Sequence, residues 1–271
     1  MSRPAYAFDL DTASEPDLGA STTGARIRTA HLTHRWDTPN GTPNGGYVLA
    51  TMLRAVAAGA AFPDPLVAAA TYARPALPGP CTIATQVLRE GRRVATYTAT
   101  LAQDGTTATH LVASFTDRAA AHGPSSELGA PPALPAPDAC PPFAPSSEFA
   151  AATINQHLDY RFATAPAWVG GVPSGDPIGE YWVRFTDERL IDHVALALLV
   201  DAYPPAFADL ADHGDVSVQL TVHFHRTSTS PWVAGRVTTR HLVDGFHEED
   251  MELWSSDGDL LAQSRQLVLF T

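Results

Sequence analysis

The chain has 271 residues (28.8 kDa), 45% of them hydrophobic and 17% charged, with a net charge of −12 at pH 7, which is material for one large globular domain or two of roughly 135 residues each. The acidity argues against non-specific attachment to phosphate backbones, the longest apolar stretches (47–61 and 194–200) are broken or too short to cross a bilayer, and no basic segment leads into an apolar one at the start of the chain. Cys81 and Cys140 are too few for a disulfide framework or a cysteine-based zinc site, and the expectation is a soluble, acidic, cytoplasmic globular protein.

Along the chain, a strand candidate in RIRTAHLTHRW precedes a glycine pair that opens GGYVLATMLRAVAAGA, where Leu49, Leu53 and Val56 recur at helical spacing. Strand-like segments follow: LVAAATYARPALPGP, CTIATQVLREG, RRVATYTATLAQDG and TTATHLVASF. From Arg118 to Ala150 the chain is dense in Pro, Ala and Ser. Proline fixes φ and removes backbone donors, so this stretch reads as a semi-extended linker. Beyond it the order repeats: a strand in EYWVRFT, a helix in DERLIDHVALALLVDAY, then strands in DVSVQLTVHFHRTSTSPW, VAGRVTTRHLVDG, FHEEDMELWSSDG and DLLAQSRQLVLF. Each half places an aromatic-X-Arg at a strand end (Tyr72 and Arg74; Phe224 and Arg226). Each then carries an Asp-Gly turn signal, at Asp104-Gly105 and Asp257-Gly258. The reading is an α+β chain of two pseudo-repeats, 1–117 and 151–271, joined by a linker at 118–150. Each repeat is a helix covered by a curled antiparallel sheet, and joining their edge strands would hide an exposed edge.

These segments resemble the acyl-CoA thioesterase II (TesB-like) family, whose chains are double hotdogs: two helix-wrapped-by-antiparallel-sheet units fused in one polypeptide. The resemblance is carried by PNGGYVLATMLRA, YARPALPGPCTIATQVLREGRR, VSVQLTVHFHR and GDLLAQSRQLVLF, and it spans nearly all of the chain except the first dozen residues and the linker. It implies hydrolysis of acyl-CoA to a free acid and coenzyme A with no metal or organic cofactor, by a homodimer or larger homo-oligomer. It also implies a catalytic set, in which the family's Asp falls on Asp201, its Thr or Ser hydroxyl on Ser217, and its Gln on Gln266.

The residues suit that chemistry. No Gly-X-Ser-X-Gly elbow offers a serine nucleophile, which leaves water attack, with Asp201 as base or water-orienting group and Ser217 and Gln266 as its hydrogen-bonding partners. The apolar run before Asp201 predicts a desolvated carboxyl with a raised pKa. Gly45 and Gly46 at a helix start are candidate oxyanion donors that let substrate approach the backbone, and Tyr47 is a candidate pocket residue. The repeat supplies an internal check: Ser217 aligns with Pro65, Gln266 with Ala113, and the first helix carries no carboxylate, so one site per chain is expected. Taken singly, a helix-end Asp reads as a cap and a strand Ser or Gln as solvent-facing; their joint match singles them out.

Other signals are plainer. His223 and His225 alternate along a strand without a third metal ligand at a recognisable spacing. His31 and His34 sit near Trp36, and the HEED run at 247–250 faces no basic run and reads as solvated. An acidic chain pairs awkwardly with anionic coenzyme A; Arg89, Arg92 and Arg93 are candidates to offset this locally, with plain surface solvation as the alternative. Two other functions share such a pocket: a thioester hydratase or dehydratase, which wants a His paired with an acid, and a non-catalytic acyl-thioester binding protein.

Overall fold

The computed structural model describes residues 25–143, 152–167, 174–204, 206 and 215–270. The first 24 residues of the predicted N-terminal unit and residues 144–150 of the predicted linker lie outside the described residues. The first half contains β1 (Arg26–Leu32), α1 (Gly45–Ala57), β2 (Asp64–Tyr72), β3 (Gly79–Glu90), β4 (Ala95–Gln103) and β5 (Thr106–Thr116). The second contains β6 (Leu158–Arg161), β7 (Ile178–Phe185), α2 (His193–Leu199), β8 (Asp215–Phe224), β9 (Val233–Thr238), β10 (Leu242–Val243), β11 (Phe246–Ser255) and β12 (Leu260–Phe270).

Alternation of apolar and polar residues explains most of these strands, and the Asp104-Gly105 turn between β4 and β5 has positive φ at both residues, the geometry that fits a two-residue hairpin. The second helix is shorter than its apolar run suggests. Asp192 caps it, accepting from the Ala195 N–H at 2.7 Å, while residues 187–190 stay outside, with Glu188 at a left-handed φ of 52°.

One antiparallel sheet runs through the molecule in the order β1-β3-β4-β5-β2-β8-β12-β11-β9-β7-β6, with β10 paired to β11. The two halves meet where β2 pairs with β8, in a register that includes Ala68↔Val222 and Ala70↔Leu220. Exchanging the halves maps these two pairs onto each other, so the seam is a local pseudo-twofold axis. Both strands also carry a register shift near their first residues: β2 between Pro65 and Val67, and β8 where Ser217 and Gln219 face Val268 and Leu267. The two shifts fall at equivalent places in the repeat.

Both helices pack within the curl of this sheet. Ten of the thirteen residues of α1 are buried, so it is wrapped rather than laid on a surface. Its first turn abuts the last turn of α2: a Cβ on Gly46 would stand 2.7 Å from the Leu198 carbonyl oxygen and 2.9 Å from that of Ala197. Only glycine permits that approach.

The described part of the Pro-rich segment, residues 118–143, packs on the outer face of the second half. Trp182, Ala234 and Trp254 lie opposite one another across β7, β9 and β11, and Leu134 and Cys140 pack on them. The Trp182 indole N–H donates to the Pro135 carbonyl at 2.8 Å. This explains why Tyr181, Trp182 and Val183 are all buried: both faces of the sheet are covered there. The HEED run is not solvated as expected. It lies in β11, where side chains alternate, so His247 and Glu249 point inward and are buried while Asp250 points outward to Arg240 and Arg265.

Candidate active site

The site forms where the start of α1, the end of α2 and the seam strands converge. Asn44 is the N-cap of α1: its Oδ1 accepts from the Tyr47 N–H at 3.0 Å, satisfying one of the unpaired donors of the first turn. Its amide N–H groups reach into the other half, donating to the Asp201 backbone oxygen at 2.7 Å and to Asp201 Oδ2 at 3.1 Å. The Gly46 N–H donates to the same Oδ2 at 2.6 Å. The loop before α1 is itself tied to the second half, since the Asp37 N–H donates to Thr153 Oγ1 at 3.0 Å and Trp36 is fully buried against His157 and Phe185.

Asp201 leaves the last turn of α2, its N–H bonded to the Leu198 oxygen at 3.1 Å. The residue is half-buried overall, but its carboxyl is set deep enough that burial dominates its ionisation. Burial pushes it up from the ordinary carboxylate range to about 6, against the downward pull of hydrogen bonds from the Gly46 N–H, Gln266 and Asn44. Gln266, buried in β12, donates from Nε2 to Ser217 Oγ. In an unbroken β8, Ser217 would face away from Leu220, because they are three residues apart. The bulge removes that obstacle: Ser217 lies opposite Val268, two residues from Gln266, so hydroxyl and amide share the inner face.

Tyr72 closes the group from the end of β2. Its hydroxyl donates to the Gly45 carbonyl at 2.8 Å, and burial, with the charge of Asp201 adding, holds the phenol well above its ordinary pKa. A Cβ on Gly45 would lie 2.9 Å from Asp201 Oδ2 and 3.1 Å from Tyr72 Oη.

Residues 32–116 match the acyl-CoA thioesterase N-terminal domain, and residues 137–270 match the acyl-CoA thioesterase C-terminal domain. The chain belongs to the acyl-CoA thioesterase family. No curated protein matches the sequence. Among solved structures it is similar to a hot dog fold protein of unknown function from Alicyclobacillus acidocaldarius (26% identity, 98% of each chain, TM-score 0.83). It is similar also to a proposed thioesterase II from Thermobifida fusca YX (27% identity, 99% of each chain, TM-score 0.83). The acyl-CoA thioesterase II TesB2 of Mycobacterium marinum shares the fold at 19% identity, over 90% of this chain and 93% of that one, with a TM-score of 0.69. The double hotdog and the thioester hydrolase class implied by the sequence resemblance are thus borne out.

Within this thioesterase the structure brings Asp201, Ser217 and Gln266 together, with Gly45 and Gly46 beside Asp201. Tyr47 stands elsewhere. It is 1% exposed, its hydroxyl accepts from the Thr33 N–H at 3.2 Å, and its ring packs near Trp36, so it belongs to the core and not to a pocket wall. His225 Nε2 lies 3.3 Å from Gln263 Oε1, a cross-strand contact. Asn44 and Tyr72 are the members that sequence reasoning missed. Asn44 carried the signal of an N-cap before a glycine pair, and Tyr72 that of a repeat marker; neither signal says that Asn44 reaches Asp201, 157 residues away, or that the Tyr72 hydroxyl reaches the Gly45 carbonyl, 27 residues away. At the pseudo-equivalent positions stand Pro65, Ala113 and Phe224, which offer neither the hydroxyls nor the amide.

Proposed function

We propose that the protein hydrolyses acyl-CoA by direct water attack, with Asp201 as general base and Gln266 and Ser217 as the groups that hold the water. The observation that carries this reading is a carboxyl held at about 6 beside a Gln266–Ser217 pair, because a base poised just below neutral is ionised at working pH yet accepts a proton readily. Asp201 takes one proton as the water oxygen bonds to the thioester carbonyl carbon. The tetrahedral oxyanion then collapses, the C–S bond breaks, and the proton passes to the coenzyme A sulfur. The Gly46 N–H is engaged by Asp201; the Gly45 N–H, first in the helix, is the donor we assign to the oxyanion.

A thiol nucleophile is a poor alternative, since burial pushes the Cys81 thiol up to about 11. The hydratase reading needs a His–carboxylate pair at the site. The two His–carboxylate ion pairs among the described residues, His34–Asp37 and His241–Glu248, have exposed imidazoles and belong to the loop before α1 and the turn before β10. We further propose that the functional unit is a homodimer of this chain.

Thiol release from short, medium and long acyl-CoAs, compared between wild type and Asp201→Ala, tests the activity. Turnover of at least one substrate is expected, falling about 100-fold or more in the variant. Turnover that survives the substitution removes Asp201 from the mechanism. Tight binding without turnover of any acyl-CoA favours the binding-protein reading.

A further inference from the structure

Two hydrogen bonds at the site use opposite ends of one peptide group. The Tyr72 hydroxyl donates to the Gly45 carbonyl at 2.8 Å, and the N–H of that same peptide, Gly46 N–H, donates to Asp201 Oδ2 at 2.6 Å. A peptide whose carbonyl accepts a strong hydrogen bond is polarised and becomes a better donor at its N–H, and chains of such bonds strengthen one another in a low-dielectric interior. Tyr72 is therefore in line with Asp201 through a single rigid unit. The chain also crosses the seam between the halves, since Tyr72 and the peptide come from the first and Asp201 from the second.

We propose that Tyr72 is a positioning residue for Asp201: its hydroxyl holds and polarises the Gly45–Gly46 peptide, whose N–H grips the carboxylate. The repeat argues independently for this role. The equivalent strand end carries Phe224, the same ring without the hydroxyl, in the half whose mirrored positions have Pro65 for Ser217 and Ala113 for Gln266. An aromatic ring suffices for packing there; the hydroxyl occurs where there is a carboxylate to serve. The peptide's freedom to fill this role also depends on Gly45, whose missing Cβ leaves the space between Tyr72 Oη and Asp201 Oδ2 open.

Among the described residues, the groups that face Asp201 come from several elements. α1 presents Asn44 and the Gly46 N–H, β12 presents Gln266, and β8 presents Ser217 through Gln266. Two titratable groups complete the surroundings: Tyr72 on β2, and Glu249 on β11, which lies opposite Gln266 in register and accepts from the Ala206 N–H at 3.0 Å. Removing the Tyr72 hydroxyl weakens a bond to the ionised form of Asp201, so the carboxyl's midpoint moves upward.

The inference rests on Asp201 being the base, and the test separates the two claims. The carboxyl of Asp201 is titrated by ¹³C NMR in wild type and Tyr72→Phe, alongside pH profiles of kcat and KM for both and for Asp201→Asn. An upward move of the midpoint by roughly a few tenths of a pH unit is expected in Tyr72→Phe, with kcat on the acid limb down about twofold and KM unchanged. A midpoint that coincides with wild type overturns the relay, whatever happens to melting temperature or turnover. Full activity in Asp201→Asn overturns the base instead, while the NMR midpoint still decides the relay. Phe224 shows that a phenyl ring packs at such a strand end, so the variant is expected to fold.

Discussion

Asp201 illustrates a conflict between catalysis and stability that can be measured at one residue. Its carboxyl titrates at about 6 in the folded chain, against about 3.9 for an ordinary Asp. Because the folded value is the higher one, folding favours the protonated form. That contribution is fully present below the unfolded pKa and is lost as pH rises through the folded one. The ionised carboxylate near neutrality is thus carried at a cost on the order of 2–3 kcal/mol. Asp201→Asn keeps an oxygen for the Gly46 N–H and removes the charge. It is expected to melt several degrees above wild type at pH 8, with the gap closing towards pH 4, as thermal unfolding at the two pH values will show; equal melting temperatures at both would mean that the carboxyl is not desolvated. Asp201 and Gln266 were legible through the family resemblance, to which the apolar run before Asp201 added only the expectation of a desolvated carboxyl; taken singly, a helix-end Asp reads as a cap and a strand Gln as solvent-facing. Ser217 was legible by alignment but not by periodicity, because strand parity alone turns it away from Gln266 until the bulge is known. Asn44 and Tyr72 were illegible for a different reason: each has an ordinary local explanation, and their roles depend on a partner in the opposite half or on a peptide they merely touch.

At the scale of elements, the contact between the first turn of α1 and the last turn of α2 is what brings a carboxylate from one half to a helix start in the other. Gly46 is the hinge of that contact. A methyl group there meets two carbonyl oxygens and the Asp201 Cβ at 2.7 to 2.9 Å. These are two backbone atoms and the stem of a side chain, which cannot rotate away. Gly46→Ala is expected to lower stability by about 1–3 kcal/mol, as overpacking in a dense interior does, read as a lower urea midpoint with the slope unchanged. Thioesterase activity should fall further than stability alone explains, because the Gly46 N–H is pushed off Asp201. The elements themselves were largely visible in the pattern of apolar residues, α1 by the helical spacing of Leu49, Leu53 and Val56 after the glycine pair. The length of α2 was not, since an apolar run records burial and not conformation: Leu190 and Ile191 continue the pattern outside the helix, while Asp192 fixes its start. The inward turn of His247 and Glu249 was missed because a run of polar residues was read as one surface, although a strand divides it between two.

For the whole molecule, the β2–β8 seam makes two repeats one sheet and leaves β1 and β6 as its ends. Duplication was readable in the order of segments; the seam was not, because strand pairing between halves leaves no local signature. The outer face of the sheet is treated unequally along its width. In the second half the Pro-rich segment covers Trp182, Ala234 and Trp254. Around the seam, Val112 on β5, Val216 on β8 and Leu267 on β12 are between 36% and 40% exposed, beside the small side chain of Ala69, which pairs with Val112. Apolar residues on the central strands of a face that no described residue covers are what a partner surface looks like, and a face centred on a pseudo-twofold seam suits a self-complementary contact. On the proposed homodimer, light scattering should give a mass twice the 28.8 kDa of the chain. Val112→Glu combined with Leu267→Glu should return it to the monomer by placing charge where a second copy of the same face would bury it. A chain that is monomeric at every concentration removes the dimer. A dimer indifferent to the two charges moves its interface off the seam. Neither result touches the site, because Asp201, Ser217, Gln266, Asn44 and Tyr72 all come from a single chain.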